Sequence, residues 1–192
     1  MNLTTIILII IALLVLGLIA LYNSLVKKRN AVDNAWAQVD VQLQRRLDLI
    51  PNVVETVKGY AAHESATLQA VTEARAMCQG ARTTEEKDWA QNSLTQALKS
   101  LFAVAEQYPD LKANQNFMAL QAEISETEDK ISYMRQSYND TVMKYNTAIE
   151  TFPANLCAGM FGFAKRESFN ADIGAEIAPV VDFGQGNSAG QL

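Results

Sequence analysis

The residues of this chain best equipped for chemistry gather in "RRLDLIPNVVETVKGYAAHE", from Arg45 to Glu64. An arginine pair beside carboxylates could grip an anionic group, and the chain's single histidine, His63, could move a proton near neutral pH. The partners such chemistry needs are missing. A zinc-protease helix requires a second histidine one turn away. With one histidine, and Cys78 and Cys157 far apart in sequence, spacing assembles no metal-ligand set. No glycine-rich phosphate loop and no Gly-x-Ser-x-Gly elbow occurs. Asp40, Arg45, Arg46 and Asp48 therefore read as solvated or ion-paired helix charges. His63 reads as a polar helix-face residue. No catalytic, cofactor-binding or metal-binding residue is expected, and the chain is not expected to be an enzyme. What the stretch offers is a polar face, Arg45, Arg46, Asp48 and Asn52, suited to a partner protein.

The elements that carry these residues follow from hydrophobic spacing. Trp36, Leu43, Ile50, Val57 and Val71 hold one seven-residue register, interrupted at Glu64, with Val39, Leu47, Val53, Val54, Tyr60 and Leu68 on its flanks. Pro51 lies inside this stripe. It removes one backbone hydrogen bond and frees the Leu47 carbonyl, a cost of about 3 kcal/mol in an isolated helix. The stripe nevertheless crosses Pro51 without a change of phase, which predicts a bent helix or two coaxial ones. A second stripe runs through Phe117, Ile124, Ile131, Tyr138, Tyr145 and Phe152, accompanied by Leu120, Thr127, Met134, Thr141 and Ala148. That is a coiled-coil-like seam on a helix from about 114 to 151. Tyr138 and Tyr145 each need a hydroxyl partner if buried. Between the two stripes, Thr83 precedes Glu86 by three residues in a capping-box pattern, and Leu94, Leu98, Leu101, Ala105 and Tyr108 line one face up to Pro109.

Sixteen basic against 21 acidic residues give a net charge of −5, which argues against nucleic acid as a partner. The apolar run "LTTIILIIIALLVLGLIALY", Leu3 to Tyr22, carries no charge and as a helix measures about 30 Å, the thickness of a bilayer's hydrocarbon. It lacks the basic n-region, short core and small-x-small site of a cleaved signal. It reads as an uncleaved anchor in contact with lipid, with Leu3, Ile10, Leu16 and Tyr22 along it. Lys27, Lys28 and Arg29 follow the span, so the positive-inside tendency puts the C-terminal domain in the cytoplasm.

The chain is thus expected to be all-α, a transmembrane helix continuing into an elongated antiparallel bundle of three to four long helices. Residues 1–24 form the anchor, 25–152 the bundle, 153–183 an irregular aromatic strap and 184–192 a flexible tail. Five of the seven phenylalanines lie in or beside the strap. They read as packing back on the bundle, or, for Phe152, Phe161, Phe163 and Phe169, as a self-association or membrane-contact surface.

Beyond these patterns, "YNSLVKKRNAVDNAWAQVDVQLQRRLDLIPNVVETVKGYAAHE", "ANQNFMALQAEISETEDKI", "YNDTVMKYNTAIETFPANL" and the closing "FGF…F" resemble the signature of the LemA family. The resemblance runs from about Tyr22 to Phe183. It implies a bacterial, single-pass inner-membrane protein with a helical core and no recognised catalytic site, and the family includes a relative found in magnetosome membranes. Lipoprotein-type members imply the extracytoplasmic side as the alternative orientation. Two roles are expected. One is a scaffold whose copies form a homo-oligomer at the membrane. The other is an adaptor for another membrane protein, such as a protease or an envelope-stress component.

Overall fold

The computed structural model describes residues 2–169, and among them the regular structure is entirely helical. In chain order the helices are α1 (Leu3–Lys58), α2 (Ser65–Gly80), α3 (Thr84–Ala105), α4 (Pro109–Lys112), α5 (Gln115–Glu150) and α6 (Ala154–Phe161). The all-α expectation, with an apolar first helix running on into a bundle, is met. Four helices are long. The break that makes four of them falls at Gly59–Glu64, leaving Pro51 inside an unbroken α1. His63 is exposed in that turn and not on a helix face.

The local reasons are visible residue by residue. Proline at position 51 has no N–H for the Leu47 carbonyl. That carbonyl accepts from Arg75 Nε on α2 at 3.1 Å, so a neighbouring helix supplies the missing donor. At the start of α3, Thr83 Oγ1 accepts from the Glu86 N–H at 3.1 Å, and Glu86 accepts from the Thr83 and Arg82 N–H groups, the reciprocal box its sequence predicts. The same bonds hold the Glu86 carboxyl below its ordinary pKa, the Arg82 backbone bond contributing most. Asn114 caps α5 by accepting from the Phe117 N–H at 3.0 Å. Gly162 ends α6 in the left-handed region at φ 69°, which a glycine adopts without a Cβ clash.

α5 packs against α1 from Leu25 onward, and together they build two separate cores. In the half away from the apolar run, Leu47, Ile50, Val53 and Val57 of α1 meet α2, α3 and the Phe117–Ile124 end of α5. In the other half, Leu25, Val32, Val39 and Leu43 meet Ile131, Tyr138, Val142, Tyr145 and Ile149 of α5, together with α6 and Phe169. Burying each such large apolar side chain stabilises the fold by roughly 1.5–3 kcal/mol.

The α5 seam departs from a strict heptad in two places. Val142 and Ile149 are buried while Thr141 and Ala148 are only half-buried, because a 3.6-residue turn drifts against a seven-residue repeat. Phe152, the last member of the stripe, lies beyond the helix end and is exposed. The predicted strap also differs from expectation: 153–183 opens with helix α6, and its extended part is described only as far as Phe169. The stretch 170–183 and the predicted tail lie outside the described residues.

Candidate functional site

The polar stretch on α1 divides between outside and inside. Arg45 is half-exposed and paired with Glu123 of α5 at 2.7 Å, and the hydrogen bond to Glu123 raises its pKa further. Asp48 accepts from Gln44 Nε2 at 2.7 Å, and both Asp48 and Asn52 are exposed. With Asp40, Val41, Gln44 and Leu49, Arg45 and Asp48 line a shallow surface groove of about 470 Å³.

Arg46 does not belong to that face. It is 2% exposed, turned between the helices, where Nη2 donates to Thr95 Oγ1 at 2.9 Å and lies 3.6 Å from Glu128 Oε2. Its Nη1 reaches Gln91 Oε1 at 3.5 Å, while Nε has no hydrogen-bond partner among the described residues. Loss of solvent lowers its pKa, partly opposed by Glu128. Arg135 Nη1 meets Asp88 Oδ1 at 2.9 Å, another charged contact with little exposure. These groups separate the two apolar cores. The signal for Arg46 lies in a register finer than the one read from Trp36. Leu25, Val32, Val39, Arg46 and Val53 are all buried and seven apart, so Arg46 occupies a core position.

Around the strap the arrangement is a clamp. Tyr138 Oη donates to the Glu167 carbonyl at 2.9 Å and Tyr145 Oη to the Ala164 carbonyl at 3.0 Å, giving each hydroxyl the partner it needs. Burial raises both phenol pKa values. Asn139 takes both backbone groups of Phe169, donating to its carbonyl at 3.0 Å and accepting from its N–H at 2.9 Å. Asn146 does the same with Arg166, at 2.9 and 3.0 Å. Each amide thus pairs with the strap as an adjacent β-strand would. The two asparagines escape a reading based on apolar spacing, yet the repeated Tyr-Asn pairs at 138–139 and 145–146 are the available signal.

The four candidate self-association phenylalanines separate likewise. Phe169 is buried, stacked on Trp36 with centroids 5.4 Å apart, edge-on to Tyr138 at 5.4 Å and beneath the Arg135 guanidinium at 4.8 Å. Phe163 packs against Tyr22 at 5.8 Å and Arg29 at 5.4 Å. Both serve the chain's own packing. Phe161 touches Tyr22 at 4.8 Å but stays half-exposed, and Phe152 is exposed.

Along the first part of α1, Leu3, Ile10 and Leu16 are exposed and Tyr22 is at the edge of exposure, within a helix whose most apolar window has mean hydropathy 3.1 and no buried residue. That surface is consistent with anchoring in lipid. Cys78 and Cys157 are free and buried in different cores, Cys78 beside Leu43 and Leu47, Cys157 near Leu25. By helical rise their neighbours on α1 stand on the order of 30 Å apart, so the two thiols do not pair. Burial pushes the Cys78 thiol up to about 11, despite the opposing charge of Arg46.

Comparison with known proteins places this architecture. The chain is 28% identical to Protein LemA of Metamycoplasma hominis over 137 residues, 71% of this chain and 63% of that protein. It is 25% identical to magnetosome protein MamQ of Magnetospirillum gryphiswaldense over 193 residues, 83% of this chain and 71% of the relative. Magnetosome protein MamQ 2 of Paramagnetospirillum magneticum matches at 36% over 73 residues, 38% of this chain but 27% of the relative. The chain thus spans less than two thirds of the LemA relative and about a quarter of MamQ 2. The model of the LemA family matches residues 35–183, the C-terminal part of α1 together with α2 to α6 and the clamped strap, and the chain belongs to that family.

Proposed function

We propose that this protein is a non-enzymatic, single-pass scaffold of the bacterial inner membrane, whose copies associate through the sides of their bundles. Trp89 on α3 and Tyr133 on α5 carry this reading. They are 61% and 73% exposed, each next in sequence or nearly so to the Asp88–Arg135 pair that ties their helices together. Large aromatics left in water on a charged bundle are the side chains that contribute most when two protein surfaces close. The heptad seam is consumed between α1 and α5, and Phe163 and Phe169 are consumed by the fold, so assembly rests on this outer surface instead. Lys27, Lys28 and Arg29 after the span favour a cytoplasmic bundle. The magnetosome proteins among the relatives fit a role in organising a larger structure.

The test is the mass of the full-length protein in mild detergent by light scattering. A defined multimer is expected, falling to the protomer when Trp89→Ser and Tyr133→Ser are combined. A wild-type monomer would sink the scaffold reading. The groove beside Arg45 and Asp48 favours a second reading, an adaptor for another membrane protein. There Arg45→Glu releases a co-purified partner and leaves the protein's own mass unchanged.

A further inference from the structure

We propose that α6, with Phe152 before it, is a second membrane-contacting element that lies in the headgroup–acyl boundary beside the end of the span. The inference rests on the reading that the first part of α1 crosses the bilayer. Given that, the height of α6 is fixed by contact. Phe161 packs on Tyr22 with ring centroids 4.8 Å apart, and Leu18 and Leu21 pack against the cluster that includes Cys157 and Ala158. Tyr22 ends the apolar run, followed by the polar Asn23 and Ser24 and the first charge at Lys27, so α6 sits at the last turns of the span, where bilayer hydrocarbon gives way to headgroups.

The composition and the disposition of side chains suit that depth. No charged residue occurs from Thr151 to Ala164. Cys157 and Ala158 face the protein, while Leu156 and Met160, one turn apart, are 61% and 71% exposed. Phe152 at 75% and Phe161 at 50% extend the same apolar surface. Four large apolar side chains exposed within ten residues are a concentration that soluble surfaces avoid. Beside a span whose own surface is lipid-facing, they continue that surface sideways. The exposed Lys27, Lys28 and Arg29 stand just above, placed to meet anionic headgroups, and the polar Asn155 on α6 keeps the insertion shallow.

Tryptophan quenching in proteoliposomes of phosphatidylcholine and phosphatidylglycerol, with bromine on the acyl chains, tests this on the full chain. Flotation with the vesicles is measured first. Met160→Trp, and Leu156→Trp as a second variant, are compared with the parent, whose Trp36 and Trp89 lie on the bundle, and with Tyr133→Trp. The expected result is that acyl-chain bromine removes most of the emission added at 160 or 156, aqueous iodide removes little of it, and the emission of Tyr133→Trp is untouched by bromine. Added emission that bromine does not reach in floating vesicles overturns the proposal, whether iodide reaches it or a second copy covers it. Such a result leaves the anchor and the scaffold reading standing. Failure to float overturns the inference together with the spanning reading.

Discussion

Where Pro51 leaves the Leu47 carbonyl without its helical donor, Arg75 donates from α2 at 3.1 Å. A carbonyl deprived of its partner costs about 1–3 kcal/mol, so Arg75→Met should lower thermal stability by that order, read by circular dichroism. In a Pro51→Ala background the restored N–H takes over, and the same substitution should cost less than half as much. Equal costs in both backgrounds would mean that Arg75 acts elsewhere. The arginine pair gives an equally sharp contrast. Arg45→Glu removes a half-exposed, solvent-screened ion pair and should barely move the thermal midpoint. Arg46→Glu puts an opposite charge among Thr95, Gln91 and Glu128 and should cost on the order of 3–5 kcal/mol. Two adjacent residues of one type differ in this way because one helical step rotates a side chain by roughly 100°. Charge alone does not distinguish them, and only the full register from Leu25 to Val53 puts Arg46 inside.

At the scale of elements, the helices and the α3 cap were legible because each rests on local spacing. The capping box carries a pH dependence. Glu86 has a folded-state pKa below its unfolded value, so its contribution is present in full above the unfolded pKa, near 4.5, and is lost as pH falls through the folded one. Protection of the Arg82 and Thr83 amides, taken relative to their intrinsic exchange at each pH, should therefore fall on acidification through that window, and Glu86→Gln should flatten the change. The strap was legible only as an aromatic segment that could pack back. Its fixation depends on side chains of α5 meeting backbone groups some twenty to thirty residues later, a pairing no periodicity encodes. Replacing Asn139 and Asn146 with alanine removes four of the bonds that hold Arg166 and Phe169. Trypsin should then cut after Lys165 and Arg166 several-fold faster, with the helical signal nearly unchanged. Cleavage at the wild-type rate would mean that the Trp36–Phe169–Tyr138 packing alone secures the strap.

For the whole molecule, the order of parts was readable and their mutual burial was not. An apolar first helix followed by charged amphipathic ones states which end is apolar enough for lipid. It does not state that the seam of α5 is used up by α1, and so is closed to a second copy. The candidate site was legible to the same degree: the stretch was found, but the sorting of its residues into surface and core awaited the fold. One consequence belongs to the unbroken course of α1 from Leu3 to Lys58. On the proposed reading that its first part crosses the bilayer, such a helix is a lever with its fulcrum at the bilayer surface. From Tyr22 onward its arm is roughly 54 Å long. Spans commonly lean by about 20° to match hydrocarbon thickness, and such a lean would carry the far tip sideways by roughly 18 Å. On that reading a thicker or thinner membrane would be converted into lateral displacement of the α2–α3 end, amplified by length alone.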